Sequence, residues 1–237
     1  MTVLRSALFN VVFFAISTVL TLAATVVRLV APRHVLCVAM LWARCLVVAV
    51  RIICGIRLEV TGLEHIPPGA ALIASRHQSA FDTFVWLTLL PRCCYVFKKE
   101  LRRIPLFGSL VSASGMIAVD RDAGGAAIRA LLRQADGAVQ DRRQVVIFPE
   151  GTRSEPGKPG TLQSGIAALA ARTGLPVIPV STDSGRFWGR RAFRKKPGTI
   201  HIVIGQPIPA RTERKELMRA LEDGMDAIER QPVGRAV

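Results

Sequence analysis

At 237 residues, half of them apolar, the chain has room for one domain with a sizeable core and an appendage. Its 32 Lys+Arg against 17 Asp+Glu give a formal charge of +15, which suits nucleic acid, an anionic membrane surface or phosphorylated substrates. A positive mean hydropathy speaks against a soluble nucleic-acid binder and for the membrane surface.

The N-terminal region is a membrane device by composition. Ser6 to Val27 carries no charge and is long enough to span a bilayer, which takes about 20 residues. A cleaved signal peptide is the competing reading, but the apolar run is long and a second one, Val35 to Ile56, follows it. Arg44 and Arg51 interrupt that second stretch seven residues apart, on one helical face. The connecting turn carries Arg28 and Arg33, which would lie on the outer side if both segments spanned, against the positive-inside tendency. A two-helix motif over residues 1–56, dipping into the cytoplasmic leaflet, is therefore expected, with true spanning as the runner-up.

From residue 57 to 237 short β-branched runs alternate with helical patterns. Strands are expected at 58–61, 71–75, 95–98, 116–119, 145–148, 177–181 and 199–204, and helices at 79–90, 106–113, 124–140, 161–172 and 212–230. Near-continuous apolar strands between helices predict an α/β domain whose mainly parallel sheet is flanked by helices. The five cysteines show neither framework spacing nor a CxxC pair, so they read as reduced and structural, and no metal site is implied.

Two short stretches carry chemistry. In ASRHQSAFDTF, residues 74–84, His77 precedes Asp82 by five positions, too far apart in angle for one face of a regular helix. The bland reading is a stray histidine beside a capping box formed by Ser79 and Asp82. The functional reading puts His77 in a strand-to-helix turn, where Asp82 reaches back to one imidazole nitrogen and makes the ring a better general base. In VVIFPEGTRS, residues 145–154, a strand gives way at Pro149 to a turn presenting Glu150, Gly151, Thr152 and Arg153. Gly151 allows close backbone approach to an anion and Arg153 can fork onto phosphate, although a solvated loop with an ordinary ion pair fits as well. The spacing excludes a Walker A loop. The stretch RFWGRRAFRKK, residues 186–196, mixes cations with aromatics and suits anionic headgroups better than single-stranded nucleic acid beside such an N-terminus. His34, His65 and His201 have no polar partner nearby in sequence and read as structural.

HQSAFD followed downstream by FPEGTRS resembles the 1-acyl-glycerol-3-phosphate acyltransferases, within the wider glycerolipid acyltransferase family. Between the two, VFKKELRRIPLFG at 96–108 and MIAVDR at 116–121 look like the family's intermediate blocks, and LPVIPVS at 175–181 and IGQPIP at 204–209 like its later ones. The resemblance covers roughly Val60 to Pro209 in the right order, and its blocks are specific jointly rather than singly. It implies that His77 is the base and Asp82 its orienting partner, that Lys98 and Arg153, helped by Arg121, hold the acceptor phosphate, and that Glu150, Gly151 and Thr152 shape the acceptor site. Lys99, Arg102 and Arg103 make the middle block unusually basic, which leaves open which cation meets the phosphate.

The reaction so implied moves a fatty acyl group from acyl-CoA or acyl-carrier protein to the sn-2 hydroxyl of 1-acyl-glycerol-3-phosphate (lysophosphatidic acid), giving phosphatidic acid. The thioester is a co-substrate; no cofactor and no metal are implied, nor is nucleic acid a partner. The expected location is a phospholipid membrane, the inner (cytoplasmic) one, with the catalytic domain facing the cytoplasm. Another lysolipid acceptor, a membrane-bound thioesterase or hydrolase, and a non-catalytic lipid-binding protein are the alternatives that the residues leave open.

Overall fold

The computed structural model describes residues 1–120, 123–210 and 212–230, the last of these without its side chain. Two helices open the chain: α1 (Thr2–Val30) and α2 (Val35–Ala49), the latter continued by a π-helical turn over Val50–Cys54. Both helical segments are long and apolar enough to cross a membrane, with mean hydropathies of 2.1 and 2.2. Seven strands follow: β1 (Ile56–Thr61), β2 (Ala71–Ser75), β3 (Cys93–Lys98), β4 (Ile117–Val119), β5 (Gln144–Ile147), β6 (Val177–Thr182) and β7 (Gly198–Ile204). Among the described residues six α-helices accompany them: α3 (Asp82–Leu89), α4 (Phe107–Ala113), α5 (Gly124–Gln140), α6 (Gly165–Thr173), α7 (Ser184–Phe187) and α8 (Arg214–Arg230).

The strands form one sheet in the order β1-β7-β6-β2-β5-β3-β4, parallel throughout except between β6 and β7. Side chains alternate across a strand, and here both faces are covered. Ala71 and Ile73 of β2, Val146 of β5 and Ile178 of β6 face a core shared with α1, α2 and α3. Leu72 and Ala74, Val145 and Ile147, and Val177 face the opposite core, filled by Leu131 and Ala135 of α5, Ile166 and Leu169 of α6, and Leu217, Leu221 and Met225 of α8. Double-sided burial is why these strands read as apolar runs rather than as alternating patterns.

The expected elements are present, with shifted boundaries. The helix expected from residue 161 starts at Gly165, because Gln163 N–H donates to the Pro149 carbonyl at 2.8 Å and holds the preceding residues as a strut. The helix expected from residue 79 starts at Asp82, because the carboxylate of Asp82 takes up the N–H groups that a longer helix would use differently. Helix α7 ends inside the basic-aromatic stretch of residues 186–196, taking in its first two residues.

That stretch is more internal than its composition suggests. Trp188 and Lys195 are buried, while Arg190, Arg191, Phe193 and Arg194 are exposed. Lys195 Nζ sits over the rings of Phe9, Trp188 and Phe193 at 4.9–5.5 Å and donates to Asn10 Oδ1, while Lys195 N–H donates to Ser6 Oγ at 2.9 Å. Burial pulls its pKa down, with Cys54 offsetting this in part, and the ring faces attract the ammonium. The segment thus clamps the start of α1. At the other end of the same helix, Ala24 and Val27 pack on Leu110 of α4 together with Val35 and Val38 of α2. The outward face of α1, including Leu8, Val11, Val19 and Leu22, is bare. Phe9 is fully buried, edge-on to Trp188 at 5.4 Å. Phe9→Ala is expected to cost about 3–5 kcal/mol against about 0.5 kcal/mol for exposed Val11→Ala, read as thermal unfolding in detergent.

Candidate active site

In a parallel sheet the strand ends that share a direction share an edge, and open α/β sheets bind ligands outside the carboxyl ends of their strands. β2, β3, β5 and β6 all run the same way, so residues 76–79, Lys98, residues 148–154 and Asp183–Gly185 emerge on that edge. β2 and β5 are direct neighbours with Ala74 opposite Ile147, which brings the two sequence motifs together.

Asp82 organises the first motif. Its Oδ2 accepts from the N–H groups of Gln78 and Ser79, both at 2.8 Å, and from His77 Nδ1 at 3.1 Å. Ser79 Oγ accepts from Phe81 N–H at 3.1 Å, so only the return half of the expected capping box, Asp82 on the Ser79 N–H, is present; α3 itself starts after Phe81 with no side-chain cap bond. A carboxylate only accepts, so the proton on this histidine lies on Nδ1 and Nε2 carries a lone pair. Nε2 has no hydrogen-bond partner among the described residues, and the His77 side chain is 12% exposed. The ring stacks on Phe148 at 4.1 Å, which fixes its plane. Behind it, Tyr95 donates its hydroxyl proton to the Asp82 carbonyl at 3.2 Å, and burial pushes that phenol well above its usual pKa, keeping it a donor.

The second motif is tied to the first through backbone. Ser154 N–H donates to the His77 carbonyl at 2.8 Å. Gly151, at φ +70°, turns the chain after Pro149, with its N–H on the Phe148 carbonyl at 3.0 Å. Glu150 points inward: it is buried and pairs with Arg76 Nη1 at 3.0 Å. Burial pushes its carboxyl above the usual value, and the Ser154 hydroxyl and Arg76 pull it back in part. Arg153 is half-buried and makes no ion pair among the described residues. Desolvation holds its pKa below the usual value; Asp82 attracts it and Arg190 opposes it. This leaves a cation near the His77–Asp82 pair with its hydrogen-bonding capacity unspent.

Of the other expected residues, Lys98 closes β3 on the same edge, half-exposed and 3.8 Å from Glu100. Thr152 is exposed on the turn. Arg121 lies outside the described residues. Two residues emerge that the sequence did not single out. Arg76, 1% exposed, bridges Glu150 to Asp226 of α8 at 2.6 Å. Gln78 Oε1 accepts from Gly185 N–H at 3.3 Å, joining the His77 turn to α7. The signal for Arg76 was an arginine directly after a fully apolar strand; its partners, 74 and 150 positions away, could not be read. His65 and His201 have partners of their own, the Ile204 carbonyl and Asp183 respectively. A cavity of about 430 Å³ between β7 and α8 is lined by Gly62, His65, Pro179 and Gly205 and does not reach the His77 turn. Among the described residues no cluster of His, Cys, Asp and Glu has the make-up of a metal site.

Such a histidine can take a proton from a hydroxyl that approaches Nε2, beside a cation able to hold an anionic group on the same molecule. A family model described as acyltransferase matches residues 57–183. The chain is 37% identical over 186 residues to the 1-acyl-sn-glycerol-3-phosphate acyltransferase of Pseudomonas aeruginosa, covering 78% of this chain and 72% of that one. It is 29% identical over 183 residues to 1-acyl-sn-glycerol-3-phosphate acyltransferase alpha of Bos taurus, covering 76% of this chain and 64% of the bovine one. The crystal structure of the 1-acyl-sn-glycerophosphate (LPA) acyltransferase from Thermotoga maritima shares the fold, with a TM-score of 0.77 over 100% of both chains at 22% identity. With more than half its length matched by the family model, this chain belongs to the acyltransferase family.

Proposed function

We propose that the chain transfers a fatty acyl group from acyl-CoA or acyl-carrier protein to the sn-2 hydroxyl of 1-acyl-glycerol-3-phosphate, giving phosphatidic acid. The observation that carries this reading is His77, with Nδ1 on Asp82 and Nε2 open, beside the unpaired Arg153. The names of the relatives point to the same acceptor.

In this reading Arg153, with Lys98 on the sheet's carboxyl edge and with Arg121 as a further cation, takes the acceptor phosphate. The sn-2 hydroxyl then approaches His77 Nε2, which removes its proton as the oxygen attacks the thioester carbonyl. Asp82 stabilises the imidazolium that forms. The tetrahedral intermediate collapses, the carbon–sulfur bond breaks, and the imidazolium returns the proton to the leaving thiolate. A thioester is already activated, so no acyl-enzyme is required. Glu150 faces Arg76 rather than the open side, so its part is to hold the Gly151–Arg153 turn in shape.

The same reading seats the enzyme on one leaflet. α1 would be about 43 Å long at 1.5 Å per residue, yet both of its ends touch the α/β body, through Ser6, Phe9 and Asn10 at one end and Ala24 and Val27 at the other. A helix crossing the bilayer would leave one of those contacts on the wrong side. An in-plane hairpin keeps both and turns Val11, Val19 and Leu22 to lipid. In this reading the site lies at the cytoplasmic face of the membrane, beside the leaflet that holds acceptor and product.

His77→Ala is expected to lower turnover by about 10²–10⁴ while leaving expression and membrane association unchanged; near-normal turnover would remove His77 from the role of base. Arg153→Ala is expected to raise the acceptor KM by about tenfold or more with a smaller effect on the thioester KM, as for a lost hydrogen bond to a charged group. An unchanged acceptor KM would count against the phosphate contact.

A further inference from the structure

The segment KELRRIPLF, residues 99–107, alternates charge with large apolar side chains. A loop in water would fold such side chains beneath itself. Here Leu101, Ile104, Leu106 and Phe107 are 37, 46, 48 and 39% exposed. The backbone imposes that exposure. The Pro105 carbonyl accepts from Phe107 N–H at 2.7 Å across Leu106, whose φ of 62° and ψ of −54° make it the centre of a positive-φ γ-turn. That conformation is rare and strained for a residue with a Cβ. Gly108 closes the loop against its own start, so tightly that a Cβ there would lie 1.9 Å from the Arg102 carbonyl oxygen.

The surroundings identify the partner. Leu110, three residues beyond Phe107 on α4, is buried against Ala24, Val27, Val35 and Val38. The loop therefore borders the tip of the hairpin, where Leu29 and Val30 are 70 and 76% exposed. Arg102 and Arg103 lie among the apolar side chains and make no ion pair among the described residues. Lys99 reaches Asp120 only at 3.5 Å. Apolar side chains flanked by free cations, continuous with an apolar helical surface, match the boundary of an anionic bilayer. An acidic carrier protein would meet the charges but gives no use for four protruding apolar groups beside the hairpin tip.

We propose that residues 99–107 form a lip that enters an anionic phospholipid leaflet next to the hairpin, with Leu101, Ile104, Leu106 and Phe107 at the acyl boundary and Arg102 and Arg103 on headgroup phosphates. Because the lip follows Lys98 directly, it meets the bilayer beside the sheet edge that receives the acceptor. The inference rests on the one-leaflet reading above and deepens it.

The test uses nitroxide labels on the full chain, reconstituted in vesicles of phosphatidylglycerol and phosphatidylcholine, in a Cys37→Ser, Cys45→Ser background. A label introduced by Leu106→Cys is expected to collide more with oxygen than with a polar nickel chelate. One introduced by Ile128→Cys, on α5, is expected to show the reverse. Leu22→Cys reads the hairpin separately. A water-exposed label at position 22 overturns the one-leaflet reading, whereas a lipid-exposed label at 22 with a water-exposed one at 106 overturns the lip alone. In parallel, Ile104→Ser with Phe107→Ser is expected to lower turnover of acceptor presented in anionic vesicles by about tenfold and to spare a short-chain monomeric acceptor. Loss on both acceptors, on neither, or only with a carrier-protein donor would contradict the proposal.

Discussion

One oxygen of Asp82 accepts from two backbone N–H groups and from His77 Nδ1, and the geometry of the site hangs on that convergence. The backbone donors belong to the residues where the chain leaves β2 and turns toward α3, so the carboxylate sets the turn and the imidazole together. Ser154 then hooks the second motif onto the His77 carbonyl, and Arg76 reaches from the end of β2 to Glu150 and Asp226. Glu150 and Arg76 are both buried; removing Arg76 would leave Glu150 a buried carboxylate without its ion-pair partner, which is far costlier than the pair itself. Neighbouring parallel strands, one turn-setting carboxylate and one buried cation thus fix a site whose two motifs are separated by some seventy residues.

The hairpin belongs to the same construction. Its Phe9, Ala43 and Leu46 lie in one core with Phe84, Val146 and Ile200, so the apolar hairpin is also a wall of the α/β body. Gln78, one residue from His77, is joined through Gly185 to α7, and α7 leads to Trp188 and Lys195, which grip Phe9, Ser6 and Asn10. A continuous set of contacts therefore runs from α1 to the His77 turn. On the proposed function, these contacts hold the site at a constant depth relative to the leaflet.

Much of this was legible in the sequence for a simple reason. Strands buried on both faces declare themselves as β-branched apolar runs, and residues such as His77 with Asp82, or Glu150 with Arg153, lie within a single turn of chain. Element starts were less legible because tertiary hydrogen bonds set them: Gln163 is held straight by Pro149, and Ser79 is held by Asp82. Lys195 was read as a surface cation because its cage comes from Phe9 and Asn10, some 185 positions away. The partnership of Arg76 with Asp226 was invisible for the same reason. The strained turn at Leu106 left no mark, since no glycine flagged its positive φ.

The central claim is direct acyl transfer by a positioned histidine with no covalent intermediate. Rapid mixing of the purified enzyme with acyl-CoA alone, followed by release of free thiol, tests it most directly. The account predicts no burst and negligible thiol until lysophosphatidic acid is added, then one thiol per phosphatidic acid formed. A stoichiometric burst of thiol without acceptor would mean an acyl-enzyme, and sustained release would mean hydrolysis; either result would contradict the account.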